Sequence, residues 1–459
     1  MRPPDASLID LIGRDNRPHR DIATADQSLR PADLFAATSL SGARDQLADR
    51  SVLIFAGDQL QTAAALIELD GLARRLTLCP SDLDWSTLRA VARVTEADAI
   101  VYDGAAPPAK LDHFAIAAPC RLPLQAAPPR RAEMRPTEWA LLTSGTTGVP
   151  KAALHDLQSL AGAFAGAKQN GAAPNWATFY DIRRYGGLQI FFRGVLGGGS
   201  LTLTSPGEAL EEHLERLARR GVTHISGTPS HWRRVLMSNA AKRFAPSYVR
   251  LSGEIADDAV LANLRELYPQ ARIGHAYAST EAGVAFEVTD ERSGFPLSFL
   301  GEGAGGVAMK IEDGSLRIRS PRVARSYIGA GAAPLRDADG FVDTGDMVEI
   351  RGDRCFFAGR RGGVINVGGA KVHPEEVEAV INLHDRVRMS LVKARANPIT
   401  GALVVADVVL DGYEGGEADI REDILATCRA RLPPYKVPAM IRFVPKLAMT
   451  ATGKLARNG

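Results

Sequence analysis

The chain has 459 residues, 45% hydrophobic and 24% charged, and its 55 basic and 53 acidic residues leave a formal net charge of +2. That length predicts two or three domains, and the even charge balance gives no footprint for nucleic acid. No apolar run reaches the ~18 residues of a membrane span, the N-terminus lacks a signal-peptide core, and four scattered cysteines without a Cys-x-x-Cys pair argue against a disulfide framework or zinc site. The expected setting is a reducing cytoplasm, for a monomer or homodimer.

In chain order, 51–55 reads as a buried strand, 59–75 as a helix, 76–79 as a strand, 86–96 as a helix and 99–102 as a strand. Strands alternating with helices predict an α/β fold built on a parallel sheet. The Ala- and Pro-rich stretch 104–136 reads as an irregular connection. Residues 157–165 and 208–220 read as helices, 200–204 as a strand after a three-glycine turn, and 284–357 as a run of short strands. The glycine- and arginine-rich residues 359–363 read as a hinge. Beyond them lies a compact α+β unit: a helix over 374–383, strands over 388–394 and 403–410, and a helix over 417–432.

Five segments carry chemistry. Thr143-Ser144-Gly145-Thr146-Thr147-Gly148-Val149-Pro150-Lys151 follows the apolar run 139–142. Its glycines let backbone approach an oxyanion, its hydroxyls donate to it, and its lysine adds charge. That is a phosphate cradle whose spacing differs from the Walker loop. Ala276-Tyr277-Ala278-Ser279-Thr280-Glu281 offers an aromatic to stack on a base, hydroxyls for phosphate and a carboxylate for Mg²⁺; the structural alternative is a strand end with a Ser-Thr-Glu helix cap. Asp343-Thr344-Gly345-Asp346 precedes Arg360, and Asp346 can bind ribose hydroxyls; alone it reads better as a turn. Gly368-Gly369 makes a tight turn before a helix opened by Pro374. Thr450-Ala451-Thr452-Gly453-Lys454 puts a lysine on a glycine turn near the end of the chain.

In this order and spacing the segments resemble the adenylate-forming superfamily: acyl- and aryl-CoA synthetases, peptide-synthetase adenylation domains and beetle luciferases. The resemblance runs from about residue 30 to the C-terminus. It implies an ATP- and acyl-binding domain over 1–358, made of parallel and mixed sheets flanked by helices, a hinge at 359–363 and a small mobile α+β domain over 364–459. It implies that Thr143, Ser144, Gly145, Thr146, Thr147, Gly148 and Lys151 hold the ATP phosphates. Ser252, Gly253, Glu254 and Tyr277 would flank the adenine, with Ala276, Ala278 and Ser279 beside them. Thr280 would contact the α-phosphate region, Glu281 would hold Mg²⁺, and Asp346 and Arg360 would bind the ribose. Lys454 would be the adenylation lysine, Thr143 would assist, and Gly368 and Gly369 would line a thiol tunnel.

The acyl pocket is expected around Arg183, Arg184, Tyr185 and Gly187, with Gly253 and Ala278. Many CoA ligases carry a histidine where this chain has an arginine, 183 or 184. Successive side chains of an extended segment alternate, so the two arginines face different ways. One could select a polar or dicarboxylic acid, while the alternative is that both pair with local acids such as Asp181. The hinge residue is another departure, with Gly362 where Asp or Lys is usual.

The implied reaction joins a carboxylic acid to AMP with release of pyrophosphate, then passes the acyl group to CoA. A stand-alone enzyme loading a carrier-protein thiol is the second reading; with five residues after Lys454 and no carrier domain, CoA is favoured slightly. A nucleotide-binding regulator without turnover is the third, opposed by the presence of both Glu281 and Lys454.

Overall fold

The computed structural model of the chain describes residues 6–13, 20–103, 111, 113–127, 135–143, 150–162, 164, 173–329, 334–398, 400–411, 416–450 and 453–457. Two large sheets form its first part. One orders its seven strands as 326–328, 151–156, 138–143, 75–78, 51–55, 99–102 and 116–119. The last five are mutually parallel, while 151–156 and 326–328 are added antiparallel at one edge. The second sheet has eight strands, in the order 283–288, 272–279, 248–252, 224–227, 176–178, 201–202, 22–23 and 28–29. Its central strands are parallel and its two edges antiparallel.

Local chemistry explains the helices that cross between strands. Asp58 caps Gln59–Leu69 by accepting from Leu60 N at 2.7 Å and Gln61 N at 3.2 Å, a contact worth about 1 kcal/mol. That helix is buried almost all round, because Ala63, Ala64, Leu66 and Ile67 leave it no polar face. Asp84 and Asp257 cap Trp85–Val94 and Asp258–Leu267 in the same way. The helix Tyr185–Leu196 packs into the core that the two sheets share. A six-stranded antiparallel sheet over 295–360 carries the chain away from these layers.

The smaller unit is a hairpin, Ile365–Val367 with Ala370–Val372, and a three-stranded sheet, 387–397, 401–410 and 440–443, covered by helices Pro374–Ile381 and Glu417–Arg431. Its own core centres on Val377, Ile381, Val408 and Ile424. The α/β architecture and the small α+β unit are as expected.

Two readings need correction. Ser279-Thr280-Glu281 caps no helix: it is the turn between antiparallel strands Arg272–Ser279 and Gly283–Val288, closed by Ala282 N donating to Ser279 Oγ at 3.0 Å. Asp-Thr-Gly-Asp is no free turn but a bulge inside the strand Val342–Arg351, where Gly345 takes φ +68.

Candidate active site

The C-terminal tail is the element that gathers the site. There Thr450 N donates to Lys454 O at 2.7 Å and Met449 is bridged to Leu455. The tail docks on the larger unit through main-chain groups. Thr228 Oγ1 donates to Gly453 O at 2.7 Å, and Leu455 N donates to Glu254 Oε1 at 3.2 Å. Glu254 is itself held by Ser230 N at 2.9 Å, at the start of the helix Pro229–Leu236. A second fastening joins Asn382 Nδ2 to Asp257 Oδ2 at 3.2 Å, and Arg457 ties the tail to Glu378 at 2.7 and 2.8 Å.

This docking brings Lys454 against Gly253. A Cβ on Gly253 would stand 3.4 Å from Lys454 Cε and 3.8 Å from Nζ, and Gly253 has φ +87. Burial lowers the pKa of Lys454, with Arg360 adding to the effect and Glu254 and Asp346 opposing it. The ammonium therefore sits where its charge is poorly hydrated and acts strongly on a nearby anion.

Asp346 acts on that lysine through its charge. It faces Arg360 across the strand pair, accepts from Arg360 Nε at 3.1 Å, and accepts a short hydrogen bond from Tyr277 Oη. Burial first, then the charge of Asp346, raises the pKa of Tyr277, so its hydroxyl stays a donor. The Tyr277 ring lies nearly parallel to Phe357 and Phe286, with centroids 5.1 and 5.8 Å away. Those rings fix its plane.

Glu281 accepts from Tyr327 Oη at 3.1 Å, and Lys151 Nζ lies 5.2 Å from the Tyr327 ring centroid. Tyr327 arrives through the antiparallel pairing of 326–328 with 151–156. Thr143, paired with Lys151, stands at the mouth of the same strand pair. Thr280 O is held by His155 Nε2 at 2.8 Å. Ser144, Gly145, Thr146, Thr147 and Gly148 lie outside the described residues. No group of three or more His, Cys, Asp or Glu able to hold a metal occurs among the described residues. One carboxylate, Glu281, suits Mg²⁺, which keeps several waters and takes phosphate oxygens.

Arg183 and Arg184 both hold local partners, and the charge of Arg184 also reaches Lys454. Arg183 is buried; its Nε donates to Asp181 at 2.7 Å and its Nη1 to the carbonyls of Ala56 and Gly57, where the strand Ser51–Phe55 ends. It pins that strand end. Arg184 Nη2 takes both oxygens of Asp82 at 2.8 Å. At Gly187 a Cβ would overlap Asp181 O, so the helix Tyr185–Leu196 packs closely against that loop there. Tyr185 lies in the core, its ring 5.8 Å from that of His155. Ser252 is buried, its carbonyl accepting from Tyr180 Oη at 2.6 Å. Ala276 pairs with it across the sheet, and Ala278 follows a bulge. Gly368 and Gly369, at φ +57 and +88, form an exposed hairpin tip with nothing within 4 Å of a Cβ.

Residues 46–328 match the AMP-binding enzyme family, and residues 376–454 match its C-terminal domain. The chain belongs to the AMP-binding enzyme family. This is the adenylate-forming superfamily that the motifs resemble. The chain is 33% identical over 190 residues to the long-chain-fatty-acid–CoA ligase of Bacillus subtilis, across 40% of this chain and 30% of that one. It is 26% identical over 334 residues to a 2-succinylbenzoate–CoA ligase of Listeria innocua, across 70% of this chain and 69% of that one. An anthranilate CoA ligase solved with anthranoyl-AMP superposes with a TM-score of 0.81 at 17% identity, over 99% of this chain and 96% of that one, a likeness of fold. No helix among the described residues is long and apolar enough to cross a membrane.

Thr228, His231 and Tyr327 escaped the sequence reading. The first two carried a signal: Thr228-Pro229 is a helix start with Thr as cap and Pro at the first position. Tyr327 carried none, since only the edge pairing of its strand brings it to Glu281.

Proposed function

We propose that this AMP-binding enzyme activates a carboxylic acid as its acyl-AMP and then transfers the acyl group to the thiol of CoA. The docking of Lys454 against Gly253, within reach of the charges of Asp346 and Arg360, carries this reading. In the first step a carboxylate oxygen attacks the α-phosphorus of ATP, the bond to the β-phosphate breaks, and pyrophosphate leaves. That chemistry needs in-line positioning and neutralised charge more than covalent help. Lys454 supplies charge where it develops, Thr280 and the cradle opened by Thr143 hold phosphate, and Asp346, with Arg360 and Tyr277, holds the ribose. Mg²⁺, held by Glu281, would neutralise phosphate charge. In the second step the thiolate attacks the acyl carbon and AMP leaves. Rotation of the small unit about 359–363 would withdraw Lys454 and bring Gly368-Gly369 to the thiol path.

Acid-dependent exchange of pyrophosphate into ATP tests the first step, and thioester formation with free CoA tests the second. Exchange without thioester on free CoA would favour a carrier-protein acceptor. No exchange with aliphatic, aromatic or dicarboxylic acids would overturn the reading.

Glu281→Gln is expected to raise the Mg²⁺ concentration needed for half-maximal exchange by at least about tenfold, because an amide oxygen is a far weaker Mg²⁺ ligand. An unchanged Mg²⁺ titration would reduce Glu281 to a partner of Tyr327. Gly369→Leu is expected to retain exchange and lose most thioester formation. The exposed tip leaves the new side chain room in this conformation, while the left-handed φ costs only about 1–2 kcal/mol. Equal loss of both half-reactions would instead mark Gly369 as a folding residue.

A further inference from the structure

Below the strand end that carries Ser252 and Gly253 lies a cluster of guanidinium groups that the scheme above does not use. Arg250 is 3% exposed. Its Nε donates to Glu287 Oε2 at 3.3 Å, and its Nη1 and Nη2 donate to none of the described residues. Arg193 Nη2 stands 3.8 Å from the same carboxylate, its guanidinium over the rings of Phe164 and Trp176. Glu287 also accepts a short hydrogen bond from Tyr248 Oη. Two guanidinium groups thus share one carboxylate, with Arg322 near enough to repel Arg193. Burial first, and then Arg250, pushes the pKa of Arg193 down to about 10. A net positive charge enclosed in this way is costly unless an anion joins it.

The direction of the cluster follows from strand geometry. Side chains alternate along Tyr248–Ser252, so Tyr248, Arg250 and Ser252 share one face. Val249 and Leu251 take the other face, packed against the helices that follow. The face of Arg250 meets the helix Tyr185–Leu196, and the charge of Arg250 reaches the hydroxyls of Tyr180 and Tyr185. On the neighbouring strand Gly274 and Ala276 stand opposite Arg250 and Ser252. Gly274 is needed there, since a Cβ would come within 3.2 Å of Tyr248 Oη. Two residues of strand separate Arg250 from Ser252, about 7 Å, and Gly253 adjoins Lys454.

We propose that Arg250, backed by Arg193, binds a second anionic group of the acid substrate, on the face of the strand Tyr248–Ser252 whose end leads to Gly253 and Lys454. The inference rests on the acid-activating reading above and names its substrate class: dicarboxylic acids, or acids with a comparable anionic oxygen group. A guanidinium with its two terminal nitrogens free suits a carboxylate by bidentate pairing.

The test measures acid-dependent pyrophosphate exchange with glutarate, adipate and terephthalate against pentanoate, hexanoate and 4-methylbenzoate. The unaltered enzyme is expected to prefer diacids in kcat/KM by more than about tenfold, and Arg250→Met to lower the diacid values about a hundredfold, mainly through KM, while sparing the monoacids. Arg250→Lys should recover part of the preference. A preference for monoacids in the unaltered enzyme overturns the inference whether or not the variants fold. So does a folded Arg250→Met enzyme with an unchanged diacid-to-monoacid ratio; in both cases acid activation itself stands. Failure of all six acids, with ATP still bound, counts against the acid-activating reading and removes the inference with it.

Discussion

Replacing Lys454 with alanine is expected to slow acid-dependent pyrophosphate exchange by about a hundredfold or more, and to leave thioester formation from preformed acyl-AMP close to its normal rate. A hundredfold corresponds to about 3 kcal/mol of transition-state stabilisation, the scale of one preorganised charge in a poorly hydrated site. The structure allows that loss to be assigned to the charge. The tail docks through Gly453 O on Thr228 and Leu455 N on Glu254, contacts made by main-chain atoms that the substitution keeps. Arg457 also keeps its two bonds to Glu378. The variant should therefore fold and dock with an unchanged Tm, and lack only the ammonium. Single-turnover measurement of each half-reaction decides the matter. Near-normal exchange would remove Lys454 from the chemistry, and equal loss of both steps would show that the lysine holds the fold.

The parts legible in the sequence were those where local pattern and final structure agree. The strand Ser51–Phe55 is an apolar run after Ser51, and the helix Gln59–Leu69 carries apolar residues at helical spacing; the structure buries almost all of both. The helix Tyr185–Leu196 was missed because Arg184 is its cap residue without a capping hydrogen bond, and two glycines follow Tyr185. The strand Tyr248–Ser252 was missed because Arg250 interrupts its apolar pattern, and that arginine is buried only through a partner on another strand. The site divides in the same way. Tyr277, Glu281, Asp346 and Lys454 were legible as motif residues, each carrying its own chemistry. Their neighbours were not. Tyr327 reaches Glu281 through an edge pairing between chain segments some 170 residues apart, and Thr228 meets Gly453 across 225 residues. Arg183 and Arg184 were legible as charges, but their partners Ala56, Gly57 and Asp82 lie over a hundred residues away.

Gly453→Ala is expected to impair adenylation as severely as loss of Lys454 itself, though the substitution adds only a methyl group. Gly453 has φ +70, where alanine costs roughly 1–2 kcal/mol. The larger obstacle is His231, since a Cβ on Gly453 would overlap its imidazole. That ring has little freedom to retreat. It stacks on Phe179 with centroids 5.4 Å apart and planes within 15°, and its Nδ1 accepts from Thr228 N at 3.1 Å. Desolvation lowers its pKa to about 3, so it stays neutral and keeps that acceptor at any working pH. The methyl group must therefore push the tail away, and Lys454 moves with it. Backbone strain and the clash separate in a double-mutant cycle. His231→Ala in the Gly453→Ala background removes the clash and leaves the strain, so exchange should recover by at least about tenfold, while thioester formation from acyl-AMP stays level in all three variants. A Gly453→Ala enzyme with normal exchange would show that the docked tail is not the adenylating state. A double variant no better than the single one would place the whole effect in the backbone and leave His231 without a role in seating Lys454.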